Sequence, residues 1–103
     1  MNKTKTIITY HIVADRQGKL RAAAKLACDF WNRFIQPKSS VVIRLGIFTQ
    51  FGNTIARAYE PYRRDGVVYG VVEFNTVYLS QFSETEIVGT IIHEIGHTLN
   101  QRQ

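Results

Sequence analysis

The residues most able to do chemistry in this chain fall near its end, where His93-Glu94-Ile95-Gly96-His97 lies inside a run with helical periodicity. Residues four apart on an α-helix sit one turn above each other, with Cβ atoms roughly 5–6 Å apart. His93 and His97 can therefore each aim an imidazole nitrogen at one divalent ion, at Zn–N distances of about 2.0–2.1 Å. Glu94 lies beside them without crowding the pair. A carboxylate there can accept a proton from a water whose pKa such an ion lowers towards about 7, generating the nucleophile that attacks a polarised carbonyl. The expected site is thus Zn2+ on His93 and His97, with Glu94 as general base. The plain alternative is a surface helix whose two histidines and glutamate are merely solvated. A helix with both histidines on one face is the context that H-E-x-x-H chemistry requires.

Such a pair needs a helix that shows it to solvent while burying the opposite side. Ser83 followed by Glu86 is a capping box, in which each side chain takes one orphan backbone N–H, so the helix is expected to begin near Glu84. At about 100° per residue, Val88, Ile91, Ile92, Ile95 and Leu99 gather on one side. Thr90, His93, Glu94 and His97 gather on the other. Gly89 and Gly96 share a third face, and because a helical glycine costs about 1 kcal/mol relative to alanine, the pair predicts close approach by another backbone, expected to be a strand.

The run from Glu86 to Leu99, EIVGTIIHEIGHTL, resembles the active-site helix of the metzincin zinc peptidases, especially the matrixin-like branch. That family's motif continues H-E-x-x-H-x-x-G-x-x-H, the glycine turning the chain so that a third histidine reaches the metal. Asn100 stands at the glycine position here, and asparagine is the residue next most tolerant of the left-handed turn. Gln103 stands at the third-ligand position. Glutamine is a poor zinc ligand beside His, Cys and carboxylate, although Gln103 also carries a terminal carboxylate. The resemblance also implies a methionine turn in a following subdomain, whereas Met1 is the chain's one methionine. The expectation is a single zincin-like domain over residues 1–103 that lacks the C-terminal subdomain, either a truncated piece of a longer protein or a minimal version whose missing ligand comes from water, the C-terminus or another subunit, with truncation the favoured reading.

The remaining chain supplies the frame. Thr6 to Val13 is rich in β-branched and aromatic residues and reads as a first strand. Its His11 is expected to be a packed or edge residue rather than a ligand. From Arg16 to Gln36, apolar residues recur every three and four positions, which predicts a helix capped by Asp15 and stopped by Pro37. Trp31 and the phenylalanines could line a pocket, but aromatic residues at helical spacing are more often core, and Trp31 is expected to serve that helix's core side. Cys28 is read as a small buried hydrophobe, since no basic or histidine neighbour would make its thiol a nucleophile. Val41 to Phe48 is a second strand, parallel to the first through a right-handed crossover. A short third strand over Ile55 to Tyr59, a polar connection from Glu60 to Gly66 with Asp65-Gly66 as a turn, and a fourth strand over Val67 to Phe74 follow. Asn75 to Ser80 is expected to be irregular. The fold class is α/β: a small twisted, mostly parallel sheet of about four strands with an antiparallel edge and both helices against one face. The resemblance implies that the strand before the active-site helix is this free edge, lying above the metal and pairing with substrate. That assigns the role to Tyr69, Gly70, Val71, Val72, Glu73 and Phe74.

A chain of 103 residues, 45% of them hydrophobic, supports a single small core. No apolar run approaches the roughly 20 residues of a membrane span, and the interrupted stretch after the basic start is not a secretory signal. The resemblance favours a secreted or extracellular protein. The formal net charge of +5 permits acidic partners, but the arginines and lysines are scattered, so nucleic acid is not the expected partner. Two functions follow. One is a zinc-dependent metalloendopeptidase acting on a peptide or protein substrate. The other is a catalytically inactive or truncated metzincin-like domain that serves as a binding or assembly module.

Overall fold

In a computed structural model, which describes residues 5–102, the chain forms one mixed four-stranded sheet. The strands are β1 (Ile8–Ile12), β2 (Val41–Phe48), β3 (Ala56–Arg64) and β4 (Val67–Asn75), in spatial order β1-β2-β4-β3. β1 and β4 both run parallel to β2, and β3 runs antiparallel to β4. The helices are α1 (Lys19–Phe34), the short α2 (Thr76–Leu79) and α3 (Glu84–Arg102). The fold class expected from the sequence is the one found, an α/β arrangement with a mostly parallel sheet and one antiparallel edge.

Strand alternation decides which face is buried. Val41, Ile43 and Leu45 of β2 and Val68, Val72 and Phe74 of β4 all point beneath α1 and α3. Against them lie Leu20, Ala23, Ala24, Ala27 and Cys28 of α1 and Ile87, Ile91 and Ile95 of α3. The alanines let α1 sit close to the sheet. Asn32 fastens it there, accepting from the Ile8 N–H at 2.9 Å and donating to the Ile8 carbonyl at 2.7 Å. The opposite sheet face is held by polar and aromatic pairs: Tyr62 stacks on Tyr69 with centroids 5.0 Å apart, and Arg57 bonds Glu73 at 2.8 Å while covering Phe48. His11 belongs to this face. It is exposed and paired in register with Arg44, on the side of the sheet away from α3.

Several boundaries differ from the sequence reading, each for a local reason. α1 begins three residues late because Gln17 and Gly18 take positive φ. Asp15 still caps it from beyond that turn, accepting from Leu20 N and Arg21 N. The polar stretch Glu60–Arg64 is strand rather than loop. β3 continues through an irregularity between Tyr59 and Tyr62, and the connection shrinks to Asp65 and Gly66, both at positive φ as a primed two-residue hairpin turn requires. Asn75 to Ser80 contains α2 instead of irregular chain, because the Asn75 side chain accepts from Val77 N and caps it.

The assignment of Tyr69 to Phe74 as a free edge is overturned. β4 is hydrogen-bonded on both sides, to β2 and to β3, and the antiparallel edge is β3. The more apolar strand takes the interior: Val68, Val72 and Phe74 are buried, whereas Arg57, Ala58, Tyr59 and Glu60 are exposed. Tyr69, Val71 and Glu73 moreover face away from the helices.

Candidate metal centre

α3 begins as the capping box predicts, with Ser83 N donating to Glu86 Oε1 at 2.9 Å and Glu86 N to Ser83 Oγ at 3.1 Å. Its fully buried stripe is Ile87, Ile91, Ile95 and Thr98, while Val88, Ile92 and Leu99 are half-buried at its flanks. The stripe is rotated slightly from the sequence expectation. The rotation leaves His93 and His97 exposed and Glu94 half-buried between solvent and core.

The two imidazoles converge. His93 Nε2 and His97 Nε2 lie 2.9 Å apart, with ring planes at 88°. Two donors of one ion, each about 2.0–2.1 Å from it, can be separated by no more than about 4.2 Å, so the pair fits a shared cation. Ligand atoms of His93, Glu94 and His97 all lie within 4.8 Å of one another, and among the described residues this is the cluster of three able to hold a metal. His11 stands on the other sheet face and takes no part. Gln103, the expected third ligand, lies outside the described residues. The left-handed turn expected at Asn100 is absent, since α3 runs on through that position to Arg102.

Two open cavities flank the pair and share His93 as a wall. One, of about 530 Å³, lies between Ile55 just before β3, Phe82, and Gly89 and Thr90 of α3. The other, of about 590 Å³, is bounded by Trp31, Ile35, Ile92, Gly96 and His97. Glycines decide the approach of neighbouring elements, though not in the way expected. Gly89 has open space beside it, and Gly96 meets the ring of Trp31 on α1 rather than a strand. The strand contact is made by Gly70 of β4, where any Cβ would collide with Thr98 Oγ1. Trp31 also donates its indole N–H to the Ile92 carbonyl at 3.0 Å.

The sequence reading missed Thr98, Gly70's true role, Ile55 and Phe82 as builders of this site, and Trp31, expected in the core, both packs against the core and lines the cavity. One signal for them was present: an isolated glycine inside a valine-rich strand marks close approach by another element. Cys28, read as a buried hydrophobe, is buried, and burial pushes its thiol up to about 12. On the far face, burial would raise the Glu73 carboxyl, but hydrogen bonds from Arg57 and Tyr59 outweigh it and hold the group below the usual carboxylate range.

Comparison of the chain with protein-family models finds no match, and comparison with curated proteins and with solved structures likewise finds none. Among the described residues, no helix is long and apolar enough to cross a membrane.

Proposed function

We propose that this chain is a zinc-dependent metallopeptidase domain of the metzincin type, in which His93 and His97 hold the ion and Glu94 is the general base and acid. The observation that carries the reading is the convergence of the two Nε2 atoms to 2.9 Å with the Glu94 carboxylate in the same cluster. When bound, Zn2+ supplies Lewis acidity, polarising a carbonyl oxygen and making water acidic enough to lose a proton near neutral pH. The chain's own groups do the rest. Glu94 takes the proton from the attacking water and returns it to the departing amine. β3, the free antiparallel edge beside α3, can hold an extended peptide by strand addition. Ala56 and Ala58, in register with the inward-facing Phe74 and Val72, leave room on that edge for the peptide's side chains. The groove between Ile55 and Phe82 then receives an apolar side chain of the substrate.

The test is hydrolysis of an unfolded protein by the zinc-loaded chain, compared with Glu94→Ala. Loss of a general base costs about 10²- to 10⁴-fold in rate, so the variant should be all but inactive while keeping its metal. Equal activity in the two proteins would sink the mechanism. A second reading is favoured by one observation: His11, the chain's third histidine, lies on the wrong sheet face to ligate. Two imidazoles hold zinc less firmly than three, and a metzincin-like module that binds peptide on β3 without cleaving it fits that donor set. Binding of an unfolded peptide with no hydrolysis at saturating zinc would favour this second function.

A further inference from the structure

The indole of Trp31 touches the backbone just before each of the two histidines. Its Nε1 donates to the carbonyl oxygen of Ile92 at 3.0 Å, and that oxygen belongs to the peptide plane leading into His93. Its Cζ2 lies so near Gly96, the residue leading into His97, that a Cβ added there would come within 3.3 Å of the ring. Trp31 and both histidines line one cavity. Phe30 buttresses the indole edge-on, with centroids 5.8 Å apart.

This arrangement bears on the roll of α3 about its own axis, which sets where the two imidazoles leave the helix. Apolar contacts from Ile87, Ile91 and Ile95 hold α3 on the sheet but are non-directional. A hydrogen bond is directional. A carbonyl has two lone pairs, so Ile92 can keep its helical bond and accept the indole as well. The bare Cα of Gly96 accommodates the ring, since a Cβ there would press it back by a few tenths of an ångström.

We infer that Trp31 is a positioning residue for the metal pair, setting through Ile92 and Gly96 the convergence of His93 and His97. The inference rests on the metal reading of that pair, and it assigns Trp31 no contact with the ion or the substrate. Partners that orient metal ligands through hydrogen bonds typically change affinity by about 10- to 100-fold when removed. Trp31 acts one bond further out, so the low end of that range applies.

The experiment titrates Zn2+ against a chromophoric chelator and follows thermal unfolding of the same proteins. Trp31→Phe keeps an aromatic ring and removes the donor. It should bind zinc about tenfold more weakly than the parent chain. Gly96→Ala presses on the ring from the other side and should also weaken binding. Leu20→Val removes a methylene from the far end of α1, about 16 Å away at 1.5 Å per residue. It should lower the unfolding temperature and leave zinc affinity unchanged, as a purely structural role for Trp31 could not explain. Affinity within twofold of the parent in both Trp31→Phe and Gly96→Ala overturns the inference, as does an equal loss in Leu20→Val. If the parent chain takes up no zinc, the metal reading fails and the positioning role falls with it. The first two outcomes leave the metal reading standing.

Discussion

The α-carbon of Gly70 lies directly against the side chain of Thr98, and this is where α3 rests on β4. Any Cβ at residue 70 would strike Thr98 Oγ1, with Ile43 Cδ1 also only 3.0 Å away. The Thr98 hydroxyl is not free to swing aside, because it donates to the Glu94 carbonyl at 2.9 Å. A strand glycine thus bears on the residue after His97 and, through it, on the residue after His93.

Gly70→Ala should accordingly destabilise the domain by about 1–3 kcal/mol, the usual cost of overpacking a tight core, measured by urea denaturation. Thr98→Ala removes the colliding oxygen. In that background the Gly70 substitution should cost at least about 0.5 kcal/mol less, a coupling of the size seen between touching residues. Additive effects would mean that the two elements do not meet at this point.

Asn75 is fully buried, and its side chain meets four backbone groups: Gln50 N, Val77 N, Gln50 O and Thr54 O. Its own N–H donates to Ile55 O at 2.9 Å, fixing one wall of the groove beside His93. Asn75→Ala should cost more than about 2 kcal/mol, since several buried groups each lose a partner worth about 1–3 kcal/mol. Asn75→Asp should be no better, because the oxygen that replaces the amide nitrogen would face the carbonyls of Gln50 and Thr54. Chemical denaturation measures both. A near-neutral Asn75→Asp would show that these carbonyls find other donors.

Cys28 predicts a sign for stability at high pH. Its thiol stays protonated in the folded chain up to about 12, against an ordinary value of 9.0. Between these values the unfolded chain has lost the proton and the folded chain keeps it. The unfolded state therefore binds fewer protons, and stability falls as pH rises, by up to about 1.4 kcal/mol per pH unit. Below pH 9 the contribution is constant. The difference in urea midpoint between the parent chain and Cys28→Ala should be flat from pH 6 to 8 and should shift against the parent from about pH 9 upwards. A flat difference across the whole range would contradict the burial of the thiol.

What the sequence made legible was periodic or local. The capping box at Ser83 and Glu86, the exposed histidine pair, the parallel β1 and β2 and the hairpin at Asp65-Gly66 all follow from spacing within a few residues. What it hid was long-range. Nothing in Val67 to Phe74 shows that β4 would enter the sheet between β2 and β3, because sheet order is set by which strand buries more once all four compete. Glu60-Pro61 looked like a loop because polarity marks both loops and exposed edge strands. Gly96 announced a close neighbour, but only the packing of α1 across α3 reveals an indole rather than a backbone. Thr98 is polar and reads as surface until Gly70 makes room for it in the core.

The central claim is that His93 and His97 share one divalent ion, and the most direct measurement is zinc stoichiometry and affinity of the parent chain beside His93→Ala and His97→Ala. One zinc per chain is predicted for the parent, with binding lost in each variant while circular dichroism and unfolding temperature stay close to the parent's. No zinc uptake by the parent, or uptake that survives either substitution, would contradict it.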